Sequence, residues 1–372
     1  MSKKFSIFLS ALFCTFIGGV AVISLLLPDK DFSPLENRYL QDPPRLSLEN
    51  LNSGKFMEDA EDYVSDHIVG RDFWVAAKAW SERLSGKKES NGVYFGAQDT
   101  LINRVDTPSQ AKLDKDMGYL DTLVGNVSAP VYFGLIPSAA EIWRDRLPAG
   151  APTADERAVI DQLYFSTGAS TIDMYGALEA HSEEDLYYRT DHHWTSLGAF
   201  YGANAILEAM GLKPLELDSY QKTTVTDQFY GTSFSTSGVR WLPPDSIDTY
   251  VPGDGVKVTS YFNGAPEEGS LYVDSKLEVK DKYSYFLGGN QALCVIETEH
   301  TDAPSVLVVR DSYTDSLAPF LTERFSKIHL FDLRYNLTSI QSYVEEHDID
   351  TVIVLYSFSN FASDDKLFLL AR

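Results

Sequence analysis

Ser312 stands between an apolar run and a helical pattern, a position at which a serine can act as a nucleophile. Residues 306–309 have the composition of a buried strand, and apolar residues at helical spacing follow the serine. Such a serine would lie at the carboxyl end of a parallel strand, where open α/β sheets bind their ligands. The amides at the start of the helix would face an oxyanion. A plainer interpretation is that Asp311 or Ser312 only caps the helix.

A second polar segment, residues 190–195, offers the base and the acid that such a serine needs. Asp191 and His193 are two positions apart, so an extended backbone would point both side chains to the same side. A carboxylate beside an imidazole fixes its tautomer and stabilises the imidazolium. A serine next to such a pair can attack esters through an acyl intermediate. The sequence therefore predicts a triad of Ser312, His193 and Asp191.

The same segment also fits two other interpretations. Two adjacent histidines and an acid can bind zinc, and a histidine just before a helix can be part of its cap. The remaining histidines show no ligand-like spacing: His67, His181, His300, His329 and His347. Cys294 is the only cysteine beyond residue 30, so we expect neither a disulfide nor a cysteine-based metal site there. We expect no metal and no cofactor.

The elements that must position these residues are predicted from residue 109 onward. Helical patterns alternate there with short apolar, β-branched runs, as in parallel sheets covered by helices on both faces. The candidate strands are 131–136, 171–174, 305–309, 328–331 and 351–355. A helix at 196–210 directly follows the polar segment. Between about 215 and 291 the alternation is lost, which predicts a β-rich insertion whose aromatic residues line a sugar cleft or fill a small core of their own.

The N-terminal segment predicts an attachment to the membrane. Lys3 and Lys4 precede an apolar stretch at 5–27, which is long enough to cross a bilayer. The lysines favour an uncleaved, single-pass anchor with the rest of the chain outside the cytoplasm. A cleaved signal peptide, and hence a secreted protein, is the alternative. We divide the chain into an anchor at 1–29, a stalk with a helical and hairpin region at 30–108, and a catalytic domain at 109–372.

The charge of the chain argues against one class of partner. Acidic residues number 54 and basic residues 31, giving a formal net charge of −23. A polyanion would have to approach against this field. We therefore expect no nucleic acid partner, and a neutral glycan is easier to accommodate than an acidic one.

The run from Asp191 to Trp194 resembles the signature of the bacterial DHHW family, which is similar to the SGNH-like proteins of alginate and cellulose O-acetylation. The matching runs occur in order along the chain, at 70–72, 92–96, 137, 188–198, 229–231, 288–290, 310–313 and 332–335. The resemblance implies an SGNH-like, flavodoxin-like α/β fold with three layers around a parallel sheet. It also implies a circular permutation, because the histidine and the acid precede the serine.

The resemblance implies a role for each member of the predicted triad. Asp191 would be the orienting acid, His193 the base and Ser312 the nucleophile, while His192 fills the variable position of the motif. Further residues that could hold the oxyanion or the substrate are Asn360, Arg334, Tyr313 and Asn290. Arg310 departs from the pattern, because many SGNH enzymes have a glycine before the Asp-Ser pair.

The activity that the resemblance implies is extracytoplasmic O-acyl transfer, with acetyl as the expected group, to a cell-surface or exported polysaccharide. It also implies a multi-pass membrane-bound O-acyltransferase as the partner that delivers acetyl across the membrane. Two alternatives stay open. One is a carbohydrate acetylesterase, and the other is a non-catalytic glycan-binding subunit of an export complex.

Overall fold

The computed structural model describes residues 3–262 and 264–372, so the predicted anchor is described from Lys3 onward. The α-helices in these ranges are α1 (Lys3–Leu26), α2 (Leu48–Ser53), α3 (Lys55–His67), α4 (Arg71–Leu84), α5 (Gln110–Asn126), α6 (Ala139–Ile142), α7 (Glu156–Ser166), α8 (Met174–Glu179), α9 (Ser196–Ala209), α10 (Thr232–Ser237), α11 (Tyr313–Leu321), α12 (Ile340–Glu346) and α13 (Phe358–Ser363). The strands are β1 (Phe32–Ser33), β2 (Arg38–Tyr39), β3 (Glu89–Ser90), β4 (Val93–Phe95), β5 (Leu101–Asn103), β6 (Val131–Ile136), β7 (Ser170–Ile172), β8 (Thr223–Phe229), β9 (Asp245–Thr249), β10 (Lys257–Tyr261), β11 (Glu267–Gly269), β12 (Leu293–Glu297), β13 (Ser305–Arg310), β14 (Lys327–Phe331) and β15 (Thr351–Ser357).

The chain divides into two compact units. The first comprises Met1–Asn91 and Ser235–Trp241, and the second comprises Gly92–Phe234 and Leu242–Arg372. In the first unit, α1 is an exposed apolar helix of 24 residues, long enough to cross a membrane. A signal sequence would have the same length and composition. The helix is therefore consistent with a membrane-anchored or an exported protein.

The second unit is built on an eight-stranded sheet with the order β11-β10-β12-β14-β13-β15-β6-β7. Strands β14, β13, β15, β6 and β7 are parallel neighbours. They include all five of the strands that the sequence predicts. A strand that is covered on both faces buries every side chain, as β13 does. Such strands have continuous apolar sequences, which is why they could be predicted.

The sheet is mixed, whereas the sequence predicted a parallel one. Strands β10, β11 and β12 extend it in antiparallel register beyond β14. In β10 and β12 buried residues alternate with partly exposed ones, so their sequences lack the continuous apolar run of a central strand. The predicted insertion at 215–291 therefore contributes two strands, β10 and β11, to the main sheet.

Two apolar cores lie on opposite faces of this sheet. Along β13 the side chains alternate, with Val306 and Val308 in one core and Leu307 and Val309 in the other. Helices α9 and α11 contact each other and contribute to the first core, while α5 and α12 contribute to the second. The result is a three-layer α/β arrangement.

A third, smaller core contains Phe229, one of the aromatic residues of the predicted insertion. Phe229 is only 1% exposed and packs with Tyr188, Ile247, Tyr283, Tyr285 and Phe286. The aromatic residues at 215–291 were predicted either to line a sugar cleft or to fill a small core, and Phe229 fills a core.

Candidate active site

Ser312 lies just beyond the carboxyl end of the central strand β13, directly before α11. It occupies the N-cap position of α11, with φ −65° and ψ −15°, and its side chain makes no capping hydrogen bond. Asp311 takes that role in part, since its Oδ1 accepts from the Tyr313 amide at 3.1 Å. The capping interpretation therefore fails for Ser312, whose hydroxyl is available for another partner.

The segment that carries the histidines is a tight loop. An antiparallel bridge joins Tyr187 to Trp194, and the Tyr188 amide donates to the His193 carbonyl at 3.2 Å. The backbone from Arg189 to His193 is bent and not extended. Asp191 nevertheless reaches His193, because its Oδ1 accepts from the His193 backbone amide at 2.9 Å and so closes a local turn.

The structure brings the three residues of the predicted triad together. His193 Nε2 lies 2.8 Å from Ser312 Oγ, and His193 Nδ1 lies 2.5 Å from Asp191 Oδ1. Asp191 is 3% exposed and His193 is 6% exposed, so water barely competes for these hydrogen bonds. The contact between His193 and Ser312 lies within the range of an ordinary hydrogen bond, and the contact between His193 and Asp191 is a short one.

The second oxygen of Asp191 is held by the start of α10. Its Oδ2 accepts from the Thr232 amide at 2.6 Å and from the Thr232 hydroxyl at 3.0 Å. A Cβ on Gly231 would collide with the Asp191 side chain, so only glycine allows the backbone to come this close. Burial alone would raise the pKa of Asp191, but the charges of His193 and His192 and hydrogen bonds from His193 and Thr232 hold it well below its ordinary value. The acid is therefore a carboxylate that only accepts hydrogen bonds.

Tyr283 is a site residue that the sequence analysis missed. It lies in the short 3-10 helix Lys282–Tyr285, and its ring stacks on the His193 imidazole with centroids 3.8 Å apart and planes 9° from parallel. Its hydroxyl donates to the Ser312 carbonyl at 3.1 Å and lies 3.0 Å from Ser316 Oγ. One buried side chain thus contacts both the imidazole and the segment that carries the serine.

Trp194, the last residue of the motif, joins the loop to α11. Its indole N–H donates to the Tyr313 carbonyl at 2.9 Å and to Ser316 Oγ at 3.0 Å. On its other side, a Cβ on Gly202 of α9 would meet the indole at 2.6 Å. The tryptophan therefore fixes the distance between the histidine loop and the serine helix.

Of the four further candidates, Asn360 contacts the residue before Ser312. Asn360 donates its side-chain amide to Asp311 Oδ2 at 2.8 Å, and the Ser357 amide and hydroxyl donate to the same oxygen at 2.8 and 2.7 Å. Asp311 therefore ties the end of β13 to the end of β15. For Asn360, a role at the oxyanion stays a prediction.

Arg334, Asn290 and Tyr313 are each engaged with protein groups. Arg334 pairs with Asp332 at 2.6 Å and donates to Asn290 Oδ1 at 3.1 Å. The Tyr313 hydroxyl donates to the His192 carbonyl. Their roles toward the oxyanion or the substrate also stay predictions.

Arg310, which departs from the usual glycine, is fully buried beneath the site. Its Nη1 lies 2.8 Å from Asp315 Oδ1 on the first turn of α11. Burial outweighs the attraction of Arg310 and raises the pKa of Asp315 to about 7. Where many SGNH enzymes have a glycine, this chain has an arginine that joins β13 to α11 through Asp315.

Most of the atoms of Asp191, His192 and His193 that could bind a metal already make hydrogen bonds. Ligand atoms of Asp191, His192 and His193 lie within 4.8 Å of one another. However, both ring nitrogens of His193, both oxygens of Asp191 and Nδ1 of His192 already make hydrogen bonds. Metal binding would therefore have to break the contacts that hold the loop together.

Comparison with known proteins identifies the family of this α/β protein with its Ser–His–Asp cluster. The family model described as DHHW protein matches residues 116–331, which is more than half of the chain. The chain belongs to the DHHW family. No curated protein matches it.

Solved structures with a similar fold include a DHHW family protein from Eubacterium siraeum, with 24% identity and a TM-score of 0.67 over 76% of this chain and 95% of that one. Bacillus cereus PatB1 with a sulfonyl adduct is similar at 21% identity and a TM-score of 0.60, over 74% of this chain and 98% of that one. The O-acetyltransferase domain of Pseudomonas putida AlgJ matches at 14% identity and a TM-score of 0.44, over 73% and 93%. The first two likenesses show the fold, a mixed α/β architecture with a parallel-rich sheet.

Proposed function

We propose that this chain is an extracytoplasmic O-acyltransferase, with acetyl as the expected group, that modifies a cell-surface or exported polysaccharide. One observation carries the proposal. The Ser312 hydroxyl lies 2.8 Å from one nitrogen of His193, and Asp191 lies 2.5 Å from the other. This is the arrangement that a serine nucleophile requires.

In the first half of the reaction, His193 takes the proton of Ser312 while the serine oxygen attacks the carbonyl carbon of the acyl donor. Asp191 stabilises the imidazolium that forms. The oxyanion is held by backbone amides near Ser312 other than that of Tyr313, which donates to Asp311. Each such donor typically contributes about 10²- to 10³-fold in rate. His193 then gives the proton to the leaving group, which leaves the acyl group on Ser312.

In the second half, a sugar hydroxyl loses its proton to His193 and attacks the acyl-serine. The bond between the acyl carbon and the serine oxygen breaks, and the serine regains the proton from His193. The products are the acylated sugar and the free enzyme. Water in place of the sugar gives acetylesterase activity by the same steps.

Three further observations support the proposal. The DHHW signature resembles SGNH-like acetylation proteins in which the histidine and the acid precede the serine, which also leads us to propose a circularly permuted SGNH-like fold. PatB1 is described with a sulfonyl adduct, and sulfonyl groups are electrophiles that react with activated nucleophiles. The apolar helix α1 would hold the domain beside a membrane partner.

The acyl donor is expected to be a multi-pass membrane-bound O-acyltransferase. Acetyl-CoA is not present outside the cytoplasm, so an extracytoplasmic transferase needs a partner that moves the acetyl group across the bilayer. A single-pass anchor with its domain outside is the topology that such a partnership requires.

Full-length protein in detergent, incubated with p-nitrophenyl acetate and a neutral glucan oligosaccharide, tests the proposal. We expect p-nitrophenol release and acetylated oligosaccharide, both lost in Ser312→Ala and His193→Ala. A sulfonyl fluoride should label Ser312, and Ser363→Ala, a change at an exposed serine on α13, should behave like the wild type. Acetate release without transfer would favour the esterase. Absence of labelling and of turnover would favour the non-catalytic subunit.

A further inference from the structure

His192 is a neighbour of the proposed base that the mechanism leaves unused. Its ring centroid lies 3.9 Å from that of His193, and a third of its side chain is exposed. Nδ1 lies 2.5 Å from Thr232 Oγ1. Among residues 3–262 and 264–372, Nε2 has no hydrogen-bond partner.

A count of protons fixes the tautomer of this ring. Asp191 is a carboxylate and can only accept, so both contacts of the Thr232 hydroxyl are hydrogen bonds only if its single proton goes to Asp191 Oδ2. The threonine oxygen can then only accept from His192. His192 Nδ1 must therefore carry the ring proton, and its Nε2 has an unprotonated lone pair.

The same carboxylate fixes the tautomers of both histidines. Oδ1 of Asp191 binds His193 directly, and Oδ2 acts on His192 through Thr232. In each neutral ring, Nδ1 donates and Nε2 accepts. Nε2 of His193 is occupied by Ser312, whereas Nε2 of His192 has no partner in the described part of the chain.

The position of the His192 ring is fixed as well as its tautomer. The Tyr313 hydroxyl donates to the His192 carbonyl, and the two rings make an edge contact with centroids 6.0 Å apart. Loss of solvent around the ring and the neighbouring His193 lower the pKa of His192 to about 4. The ring is therefore a neutral hydrogen-bond acceptor at neutral pH.

We propose that His192 Nε2 accepts a hydrogen bond from a hydroxyl of the acceptor sugar and thereby directs a neighbouring hydroxyl of that sugar to the acyl-serine. The inference rests on the proposed function and deepens it, because it names the acceptor class. A compound with several hydroxyl groups can contact His192 and attack Ser312 at once, whereas a single water molecule cannot. His192 would thus favour transfer over hydrolysis.

The test measures how the acyl-enzyme divides between a neutral glucan oligosaccharide and water, using full-length protein acylated by p-nitrophenyl acetate. His192→Asn keeps a donor at the position of Nδ1 but loses Nε2, and we expect the ratio of transfer to hydrolysis to fall about tenfold, as for one lost hydrogen bond. His192→Gln places an oxygen near the position of Nε2 and should restore much of the ratio. His300→Asn, at an exposed histidine, serves as the matched control.

Each outcome distinguishes this inference from the proposed function. A wild-type protein that is not acylated overturns the proposed function, and the inference falls with it. If the wild type is acylated and transfers normally, an unchanged ratio in His192→Asn overturns the inference alone. If the wild type is acylated but passes the acyl group only to water, the inference is also overturned, and the protein is then an esterase. Sulfonyl fluoride labelling of Ser312 in His192→Asn guards against misfolding, and nitrogen NMR should show His192 Nε2 unprotonated.

Discussion

The ring of Tyr283 lies parallel to the His193 imidazole, 3.8 Å away, while its hydroxyl donates to the Ser312 carbonyl. Tyr283 is 29 positions from Ser312 and 90 from His193 in the chain, yet it contacts both. The segment between β11 and β12 thus braces the proposed base and the proposed nucleophile at the same time. An aromatic face beside an imidazole also stabilises the cation that forms during proton transfer.

Substitutions at Tyr283 separate these two contributions. Tyr283→Phe keeps the ring and loses the hydroxyl, so we expect kcat for p-nitrophenyl acetate to fall only a few-fold. Tyr283→Leu also loses the aromatic face, which is worth about 0.5–2 kcal/mol toward the imidazolium and corresponds to about 2- to 30-fold in rate. Steady-state kinetics measures both contributions, and urea unfolding of the two variants is the folding control. Equal rates in the Leu and Phe variants would contradict the role of the ring.

Asp191→Asn should be more damaging than its small change in shape suggests. Both carboxylate oxygens face donors, namely two nitrogens of His193 and the amide and hydroxyl of Thr232. An amide group would turn its NH₂ toward one of these donors whichever way it is oriented. We expect kcat to fall by about 10²- to 10⁴-fold and the free energy of unfolding to fall by about 1–3 kcal/mol. Urea unfolding and esterase assays check this, and a variant with near wild-type turnover would exclude Asp191 from the triad.

The contacts among Ser312, His193 and Asp191 could be predicted from the sequence for a chemical reason. A serine after an apolar run and a polar segment before a helix are both local patterns, and parallel strands bring their carboxyl ends to one edge. The spacing of Asp191 and His193 selected His193 of the two histidines, although the backbone there is bent and not extended as that argument assumed. The resemblance to the DHHW family implied the same roles.

The residues around them could not be predicted, because their contacts are distant in sequence and have no periodicity. Thr232 is 41 positions from Asp191, and Trp194 is 122 positions from Ser316. Tyr283 lies in a stretch of mixed aromatic and polar residues, a composition that does not distinguish a site residue from an ordinary loop residue. The family resemblance singled out Trp194 and Gly231 without giving either of them a role. Only the structure explains Gly231 as the point where the backbone meets Asp191.

Gly231→Ala should therefore disturb the site without changing a polar group. The added Cβ would overlap the Asp191 side chain, so the carboxylate or the backbone must move. We expect overpacking to cost about 1–3 kcal/mol in the free energy of unfolding and to lower the rate of Ser312 labelling by a sulfonyl fluoride. Gly118→Ala, on α5, is the control, because nothing lies within 4 Å of its added Cβ. Equal labelling rates in the two variants would show that Asp191 tolerates displacement.

Stability should depend on pH through Glu156, which is fully buried at the start of α7. Burial raises the pKa of Glu156 to about 7, although the hydroxyl and amide of Ser138 bind its carboxyl group at 2.5 and 2.9 Å. Because the folded pKa is raised, the stabilisation is fully present below the ordinary value of about 4.5. It is lost as pH rises toward 7.

Glu156→Gln should remove this dependence, because an amide can donate to the Ser138 hydroxyl and accept from its backbone amide at any pH. We expect the free energy of unfolding of the wild type, relative to the variant, to fall by about 3 kcal/mol between pH 4.5 and pH 8. Urea titrations of both proteins across this range measure the difference, and Asp315, whose pKa is also raised to about 7, cancels because it is present in both. A constant difference between the two proteins would mean that folding does not raise the pKa of Glu156.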